Sequence, residues 1–255
     1  MTRPPPMVSY SYGESPECVA DLRLPAAASR ACAVLLHGGY WRDRYRRDLM
    51  EPLAAALAAD GIATWNVEYR RVGSGGGVPR TIDDVAAAIE YLDRLAHQRG
   101  PGLGPLILVG HSSGAHLALC AAGRHRHRGS PTVGAAAVVA LGGLCDLERA
   151  ARDGLSNRAA VDFAGGEPDR WPLLYAEVSP PSLLPLGVPY LLLHGMADDS
   201  VPWQLSADFH QRAIDAGDHG DLMLLEDVGH FEPIDPATPA WRSALAWIDD
   251  LLAGS

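Results

Sequence analysis

The chain has 255 residues, of which 47% are hydrophobic, and its 21 basic and 31 acidic residues give a formal net charge of −10. This apolar fraction is ample for the core of one large α/β domain, whereas the negative charge argues against nucleic acid and anionic membrane surfaces as partners. All the basic residues are arginines, so this chain supplies no lysine for a Schiff base, for pyridoxal phosphate or for a P-loop.

Cysteine spacing and the N-terminal residues bear on metal binding and on the location of the protein. The four cysteines are spread along the chain without the C-x-x-C spacing of a zinc site, so we predict no metal and no cofactor. No apolar run approaches the roughly 18 residues of a membrane helix. No apolar signal segment follows Arg3, and we therefore expect a cytoplasmic protein that does not associate with a membrane.

Hydrophobic patterning predicts an α/β fold. Loose alternation of apolar and polar residues over 7–24 indicates two antiparallel strands at a sheet edge. Continuous apolar runs then alternate with amphipathic patterns, which predicts a mostly parallel eight-stranded sheet with helices on both faces. The further strands are predicted at 31–37, 62–69, 106–109, 132–141, 188–194 and 221–226. The helices are predicted at 48–60, at 81–99 with Thr81 as its cap, from the serine motif to about Gly123, at 203–216 and at 239–252.

One stretch breaks this alternation. Over residues 142–187 the periodicity weakens, and Pro, Asp, Arg and Trp become frequent. We predict a small helical insertion there, which is a candidate lid. Residues 1–255 are expected to form a single domain that includes this insertion.

A serine between two glycines follows the strand predicted at 106–109. The motif is Gly110-His111-Ser112-Ser113-Gly114, and a helical pattern comes after it. At a nucleophile elbow a strained backbone lifts the serine hydroxyl above the sheet, and the glycines prevent collisions between strand and helix. An ordinary strand-to-helix turn is the alternative. The strand before the motif and the helix after it favour Ser112 as a nucleophile.

A serine nucleophile needs a histidine base and a carboxylate that orients the base. In a parallel sheet such residues collect at the carboxyl ends of the strands. Asp198 follows the strand predicted at 188–194, and His230 follows the last strand. We therefore predict a catalytic triad of Ser112, Asp198 and His230.

Two other carboxylates compete for the role of the acid. Asp199 and Asp227 are alternatives to Asp198, but the spacing H-G-x-x-D-x-x-V-P favours Asp198. The remaining histidines near these motifs are expected to support them through packing and hydrogen bonds; they are His37, His111, His116 and His194.

A glycine loop, His37-Gly38-Gly39-Tyr40-Trp41, follows the strand predicted at 31–37. Backbone N–H groups in such a loop can stabilise the negative oxygen that forms when serine attacks a carbonyl. We predict an oxyanion hole made by the N–H groups of Gly39, Tyr40 and Ser113, with a simple turn as the alternative. Tyr40 and Trp41 are candidate substrate-binding residues that could stack on an aromatic substrate, and core packing is their alternative.

At these residues the chain resembles the α/β-hydrolases over nearly its whole length. The loop H-G-G-x-W at 37–41 and the motif G-H-S-S-G-A-H-L at 110–117 resemble more narrowly the kynurenine formamidase (arylformamidase) group and related small carboxylesterases. Many lipases and esterases carry a third glycine at the position of Tyr40, and Ser113 stands where this group often has alanine. The resemblance implies hydrolysis of N-formyl-L-kynurenine to kynurenine and formate, by transfer of the formyl group to serine.

Our hypothesis is a serine hydrolase that cleaves a small acyl or formyl group and that is arylformamidase-like. The first alternative is a carboxylesterase that acts on short-chain esters, and the second is a non-catalytic ligand-binding module. The expected partner is a small-molecule substrate, aromatic in the arylformamidase interpretation. A homodimer is an option that the sequence leaves open.

Overall fold

A single eight-stranded sheet organises the part of the chain that the structure describes. This computed structural model describes residues 7–99, 102–128 and 134–254. The strands are β1 (Met7–Ser11), β2 (Val19–Arg23), β3 (Cys32–Leu36), β4 (Ala63–Val67), β5 (Leu106–His111), β6 (Ala137–Leu141), β7 (Tyr190–Gly195) and β8 (Gly220–Leu225). Their order in the sheet is β1-β2-β4-β3-β5-β6-β7-β8.

The sheet is mostly parallel, which confirms the predicted fold class. β1 pairs with β2 and β2 with β4 in antiparallel fashion, and the pairs from β4 across to β8 are parallel. The strand predicted at 132–141 is β6, but residues 132 and 133 lie outside the described residues. Because β3, β5, β7 and β8 run in the same direction, the loops that follow them gather at one edge of the sheet.

Helices cover the sheet. They are α1 (Glu51–Ala59), α2 (Arg80–Arg99), α3 (Ser113–Arg128), α4 (Leu147–Arg152), α5 (Leu155–Ala164), α6 (Pro172–Val178), α7 (Gln204–Asp215) and α8 (Pro239–Ala253), with short 3₁₀ turns at Arg47–Met50, Pro180–Leu183 and Glu232–Ile234. None of the described helices is both long and apolar enough to cross a membrane.

The sheet separates two hydrophobic cores. Val34 and Leu36 of β3 point into the core that α2, α3 and α7 cover, whereas Leu35 points into the core that α1 and α8 cover. Successive side chains of a strand point to opposite faces, so a strand with a core on each side must be apolar at every position. This explains why the central strands appear in the sequence as continuous apolar runs.

The stretch of weakened periodicity contains short helices, as expected. Residues 142–187 include α4, α5, α6 and the turn Pro180–Leu183. Arg42, which follows the glycine loop, donates hydrogen bonds to the carbonyl oxygens of Ser156 (2.7 Å) and Asn157 (3.3 Å) at the start of α5. The insertion is therefore attached directly to the segment after the glycine loop, and its movement as a lid stays a prediction.

The predicted end of α3 near Gly123 is wrong, because the helix continues to Arg128. A Cβ atom at Gly123 would lie 2.7 Å from the Cβ and 2.9 Å from the carbonyl oxygen of Leu183. Glycine therefore lets α3 pass close to the turn Pro180–Leu183. The residue serves close packing in the middle of a helix and does not end the helix.

The predicted cap of α2 is also wrong. The helix begins at Arg80, so Thr81 lies inside its first turn. The Thr81 hydroxyl accepts a hydrogen bond from the Gly77 N–H (2.9 Å) and donates one to the Arg70 carbonyl (2.6 Å). Thr81 thus ties down the glycine-rich loop before the helix.

We expect Gly114→Ala to destabilise the protein by about 1–3 kcal/mol or more, because overpacking forces the backbone to shift. The added Cβ would lie 2.0 Å from the Leu36 carbonyl oxygen and 2.5 Å from that of His37. Urea unfolding measures the free energy of unfolding. Gly254→Ala is the matched control, since its Cβ would meet nothing closer than 3.6 Å, and equal destabilisation by the two variants would contradict the prediction.

Candidate active site

Ser112 occupies a strained turn between β5 and α3. Its φ angle is +56°, in the left-handed region that a non-glycine residue rarely adopts. A Cβ at Gly110 would lie 2.3 Å from the carbonyl oxygen of Gly114, so the flanking glycines allow the strand and the helix to approach each other. The Ser112 hydroxyl is buried and has no hydrogen-bond partner among the described residues. These features are those expected of a nucleophile elbow.

The side chain of Asp198 is fully buried after β7 and accepts several hydrogen bonds. Its Oδ2 accepts from His230 Nδ1 (2.7 Å) and lies 3.2 Å from His194 Nε2, while its Oδ1 accepts from the backbone N–H groups of Ser200 and Val201, both at 2.8 Å. Burial raises the pKa of Asp198, but the hydrogen bonds from His194 and His230 outweigh burial and hold the pKa well below its ordinary value. Asp198 is therefore ionised at neutral pH.

Of the three candidate carboxylates, Asp198 is the one that bonds to His230 in the described part of the chain. His230 bonds to Asp198 through Nδ1, so Nε2 is the ring nitrogen that can accept a proton from a nucleophile. The Asp199 carboxylate instead accepts from the Ser200 hydroxyl (3.0 Å). Asp227 has a positive φ of 55° in the turn that leads from β8 toward His230.

His111 holds the loop that carries the base. Its Nε2 donates a hydrogen bond to the His230 carbonyl oxygen (2.9 Å), and the two rings lie 4.6 Å apart. Burial and the nearby His230 lower the pKa of His111 to about 3. His111 is therefore neutral at physiological pH, and its Nε2–H is a permanent donor toward the His230 loop.

Ser112 and His230 lie at the same edge of the sheet, although no hydrogen bond joins them in this structure. The Ser112 N–H donates to the Leu141 carbonyl oxygen (2.9 Å). A Cβ on the next residue, Gly142, would lie 3.4 Å from both Asp198 Oδ2 and His230 Nδ1. Nucleophile–base hydrogen bonds often tighten only in the complex with substrate.

The glycine loop lies against the nucleophile. A Cβ at Gly38 would be 2.9 Å from the Cβ of Ser112, and one at Gly39 would be 2.6 Å from that of Tyr45. Gly39 and Tyr40 both have positive φ angles, of 118° and 52°. The backbone of this loop can therefore approach a carbonyl bound at Ser112 more closely than it could with side chains at positions 38 and 39.

The two aromatic residues of this loop have different environments. Trp41 is 1% exposed, stacks on Phe163 with ring centroids 4.5 Å apart and meets His116 edge-on. This burial favours the core-packing alternative for Trp41 over a contact with substrate. Tyr40 is partly exposed, and its hydroxyl donates to the Ser200 carbonyl oxygen. Burial and the Asp198 charge raise the pKa of Tyr40 to about 12, so its hydroxyl stays protonated and remains a donor. It thereby links the glycine loop to the loop that carries Asp198 and Ser200, here called the acid loop.

Sequence reasoning missed Glu68 as a residue of this site. Glu68 is fully buried at the end of β4, where its Oε1 lies 2.8 Å from His37 Nε2. A carboxylate inside a strand predicted to be buried over 62–69 was the available signal, since a buried charge requires partners. Among the described residues, no group of three or more His, Cys, Asp or Glu side chains could hold a metal ion.

We expect Asp198→Asn to lower kcat by about 10⁴-fold, because the amide would no longer hold the tautomer of His230 that accepts a proton at Nε2. Asp199→Asn is the matched control and should retain nearly full activity, since Asp199 does not bond to His230. Steady-state hydrolysis of p-nitrophenyl butyrate measures both variants. An equal loss of kcat in the two variants would contradict the assignment of Asp198, and not Asp199, as the acid of the triad.

The pH dependence of kcat/KM should show one rising limb that belongs neither to Asp198 nor to His111. A base must be unprotonated to accept the serine proton, so activity rises as the pH rises and the base loses its proton. Asp198 is already ionised at neutral pH and His111 has a pKa of about 3, so neither can give a limb near neutral pH. A profile without a rising limb would argue against a histidine as the base.

Comparisons with known proteins identify the family of this chain. The BD-FAE family profile matches residues 20–213. A curated relative, the probable isoprenylcysteine alpha-carbonyl methylesterase of Oryza sativa subsp. japonica, is 26% identical over 238 residues, which are 87% of this chain. The chain spans 57% of that relative's length.

Solved structures share the fold. Esterase B of Lactobacillus rhamnosis, inhibited by a tributyrin phosphonate, is 20% identical with a TM-score of 0.81, covering 99% of this chain and 88% of its own. Esterase 2 of Thermogutta terrifontis with bound propionate is 21% identical with a TM-score of 0.75, covering 97% and 93%. These relatives are esterases by name, in agreement with the prediction of an enzyme, and they give no support to the narrower arylformamidase resemblance. Because the family profile matches well over half of its residues, the chain belongs to the BD-FAE family, and it has the α/β-hydrolase fold.

Proposed function

We propose that the protein is a serine carboxylesterase that hydrolyses short-chain esters with Ser112, His230 and Asp198 as its catalytic triad. The observation that carries this proposal is the hydrogen bond of 2.7 Å between His230 Nδ1 and the buried Asp198, at the sheet edge where Ser112 occupies its strained turn. The names of the similar structures support short acyl groups as the substrate class, since the Lactobacillus esterase was solved with a tributyrin phosphonate and the Thermogutta esterase with propionate.

The geometry supports the following sequence of steps. The Ser112 hydroxyl attacks the ester carbonyl while His230 Nε2 takes its proton, and Asp198 stabilises the resulting imidazolium. The N–H groups of Gly39, Tyr40 and Ser113 stabilise the negative oxygen of the tetrahedral intermediate. His230 then gives the proton to the leaving alcohol. Water attacks the acyl-serine in the same way and releases the acid.

Arylformamidase activity is the second candidate. The loop His37-Gly38-Gly39-Tyr40-Trp41 favours it, and so does Phe231, which is half exposed and lies 5.1 Å from the His230 ring. Phe231 therefore offers an aromatic surface beside the base. The burial of Trp41 weakens this candidate, because its ring offers no exposed face for stacking on an aromatic substrate.

Parallel assays on p-nitrophenyl acetate, p-nitrophenyl butyrate and N-formyl-L-kynurenine separate these candidates. We expect kcat/KM for the esters to exceed that for the formamide, and Ser112→Ala to lower kcat on the esters by about 10⁶-fold. A higher kcat/KM for the formamide would replace the esterase proposal by the second candidate. Near-normal turnover by Ser112→Ala would overturn the mechanism itself.

A further inference from the structure

His37, the first residue of the glycine loop, has a hydrogen-bond partner at both ring nitrogens and lies next to the proposed oxyanion donors. The residue is fully buried; its Nδ1 lies 2.7 Å from the carbonyl oxygen of Gly38, and its Nε2 lies 2.8 Å from Glu68 Oε1. A carbonyl oxygen can only accept a hydrogen bond, so Nδ1 must carry a hydrogen. The charge of His37 then depends on whether Glu68 accepts from Nε2 or donates to it.

The surroundings of Glu68 keep its carboxylate ionised. Its two oxygens also face the Arg71 guanidinium (3.1 Å), the backbone N–H groups of Arg47 (3.1 Å) and Tyr69 (3.2 Å), and the Arg46 guanidinium (3.5 Å). An ionised carboxylate accepts and does not donate, so Nε2 of His37 must carry a hydrogen as well.

The neighbouring aromatic ring also suits a charged His37. Arg71 and Arg46 each pair with both Glu17 and Glu68, so His37 shares these carboxylates with two arginines, of which Arg71 is buried and Arg46 is exposed to solvent. Tyr69 stacks on the His37 ring with centroids 4.4 Å apart and planes 5° apart. A cation over an aromatic face is stabilised by the ring quadrupole.

We propose that His37 is a buried imidazolium, kept charged by Glu68, that strengthens the oxyanion hole through the peptide group between Gly38 and Gly39. The carbonyl that accepts from His37 belongs to the same peptide group as the Gly39 N–H. A hydrogen bond to that carbonyl polarises the peptide, and hydrogen bonds in such chains strengthen one another. His37 and Glu68 are therefore positioning residues, and the inference rests on the proposed function because Gly39 is a proposed oxyanion donor.

The charge itself is tested without any substrate. A long-range ¹H–¹⁵N correlation spectrum of the full-length protein at pH 8 distinguishes an imidazolium from neutral histidine tautomers, and His37→Gln assigns the signal. We expect both His37 nitrogens to be protonated, whereas His111 in the same sample serves as the neutral control. A neutral His37 in the wild-type protein would overturn the proposal, even if Glu68 variants fail to fold.

Kinetics test the consequence for catalysis. Glu68→Gln should lower kcat for p-nitrophenyl butyrate by about tenfold with little change in KM, which is less than the 10²–10³-fold expected when an oxyanion donor is removed. Asp84→Asn is the matched control, because it weakens the partly buried ion pair of Asp84 with Arg70 without touching His37, and its kcat should be unchanged. An unchanged kcat in Glu68→Gln would contradict the proposal.

A double variant shows whether Glu68 acts through His37. In that case Glu68→Gln should have little further effect in a His37→Gln background, since residues that act as one unit give non-additive losses. Fully additive losses of kcat would mean that the two substitutions act through separate structural effects, and they would contradict the proposal that Glu68 acts through His37. An imidazolium signal in a protein without esterase activity would refute the proposed function and leave the charge assignment standing.

Discussion

The buried carboxylate of Asp198 is the point on which the rest of the site depends. A charge taken out of water is costly unless it is hydrogen-bonded, and Asp198 meets this requirement with the imidazole of His230 and with backbone N–H groups of its own loop. The acid loop and the base loop are also joined through the backbone, since the Ala197 N–H donates to the Val228 carbonyl oxygen (3.0 Å). The orientation of the His230 ring is thus fixed by the loops that follow two adjacent parallel strands, β7 and β8.

The same edge of the sheet shows how loops that are far apart in sequence are held at fixed positions. His111 reaches the backbone of His230, and Tyr40 reaches the backbone of Ser200. In both cases a side chain donates to a carbonyl of another loop, and the donor is a group whose proton is retained at neutral pH. Such contacts restrict the relative motion of Ser112, His230 and the glycine loop, so the proposed reaction would need little rearrangement of these residues.

The fold could be predicted from the sequence because strands with a core on both faces leave continuous apolar runs, and the triad candidates because they follow such runs in a fixed order. The misplaced features depend on tertiary contacts that no local pattern contains. Gly123 looks like a helix end until Leu183 is seen against it, and Trp41 looks like a pocket residue until Phe163 covers it. Glu68 stood out less than the motif residues because the contact that ties it to the site, His37, comes from another segment of the chain.

The attachment of Arg42 to α5 links the insertion mechanically to the glycine loop. The guanidinium that holds the first turn of α5 belongs to the residue directly after the loop 37–41, with no spacer between the two. Any displacement of α5 must either break these bonds or pull on the backbone next to Gly39 and Tyr40, the proposed oxyanion donors. The position of α5 and the conformation of the glycine loop are therefore not independent properties of this molecule, and a substitution that shifts Ser156 or Asn157 would also act on the glycine loop through Arg42.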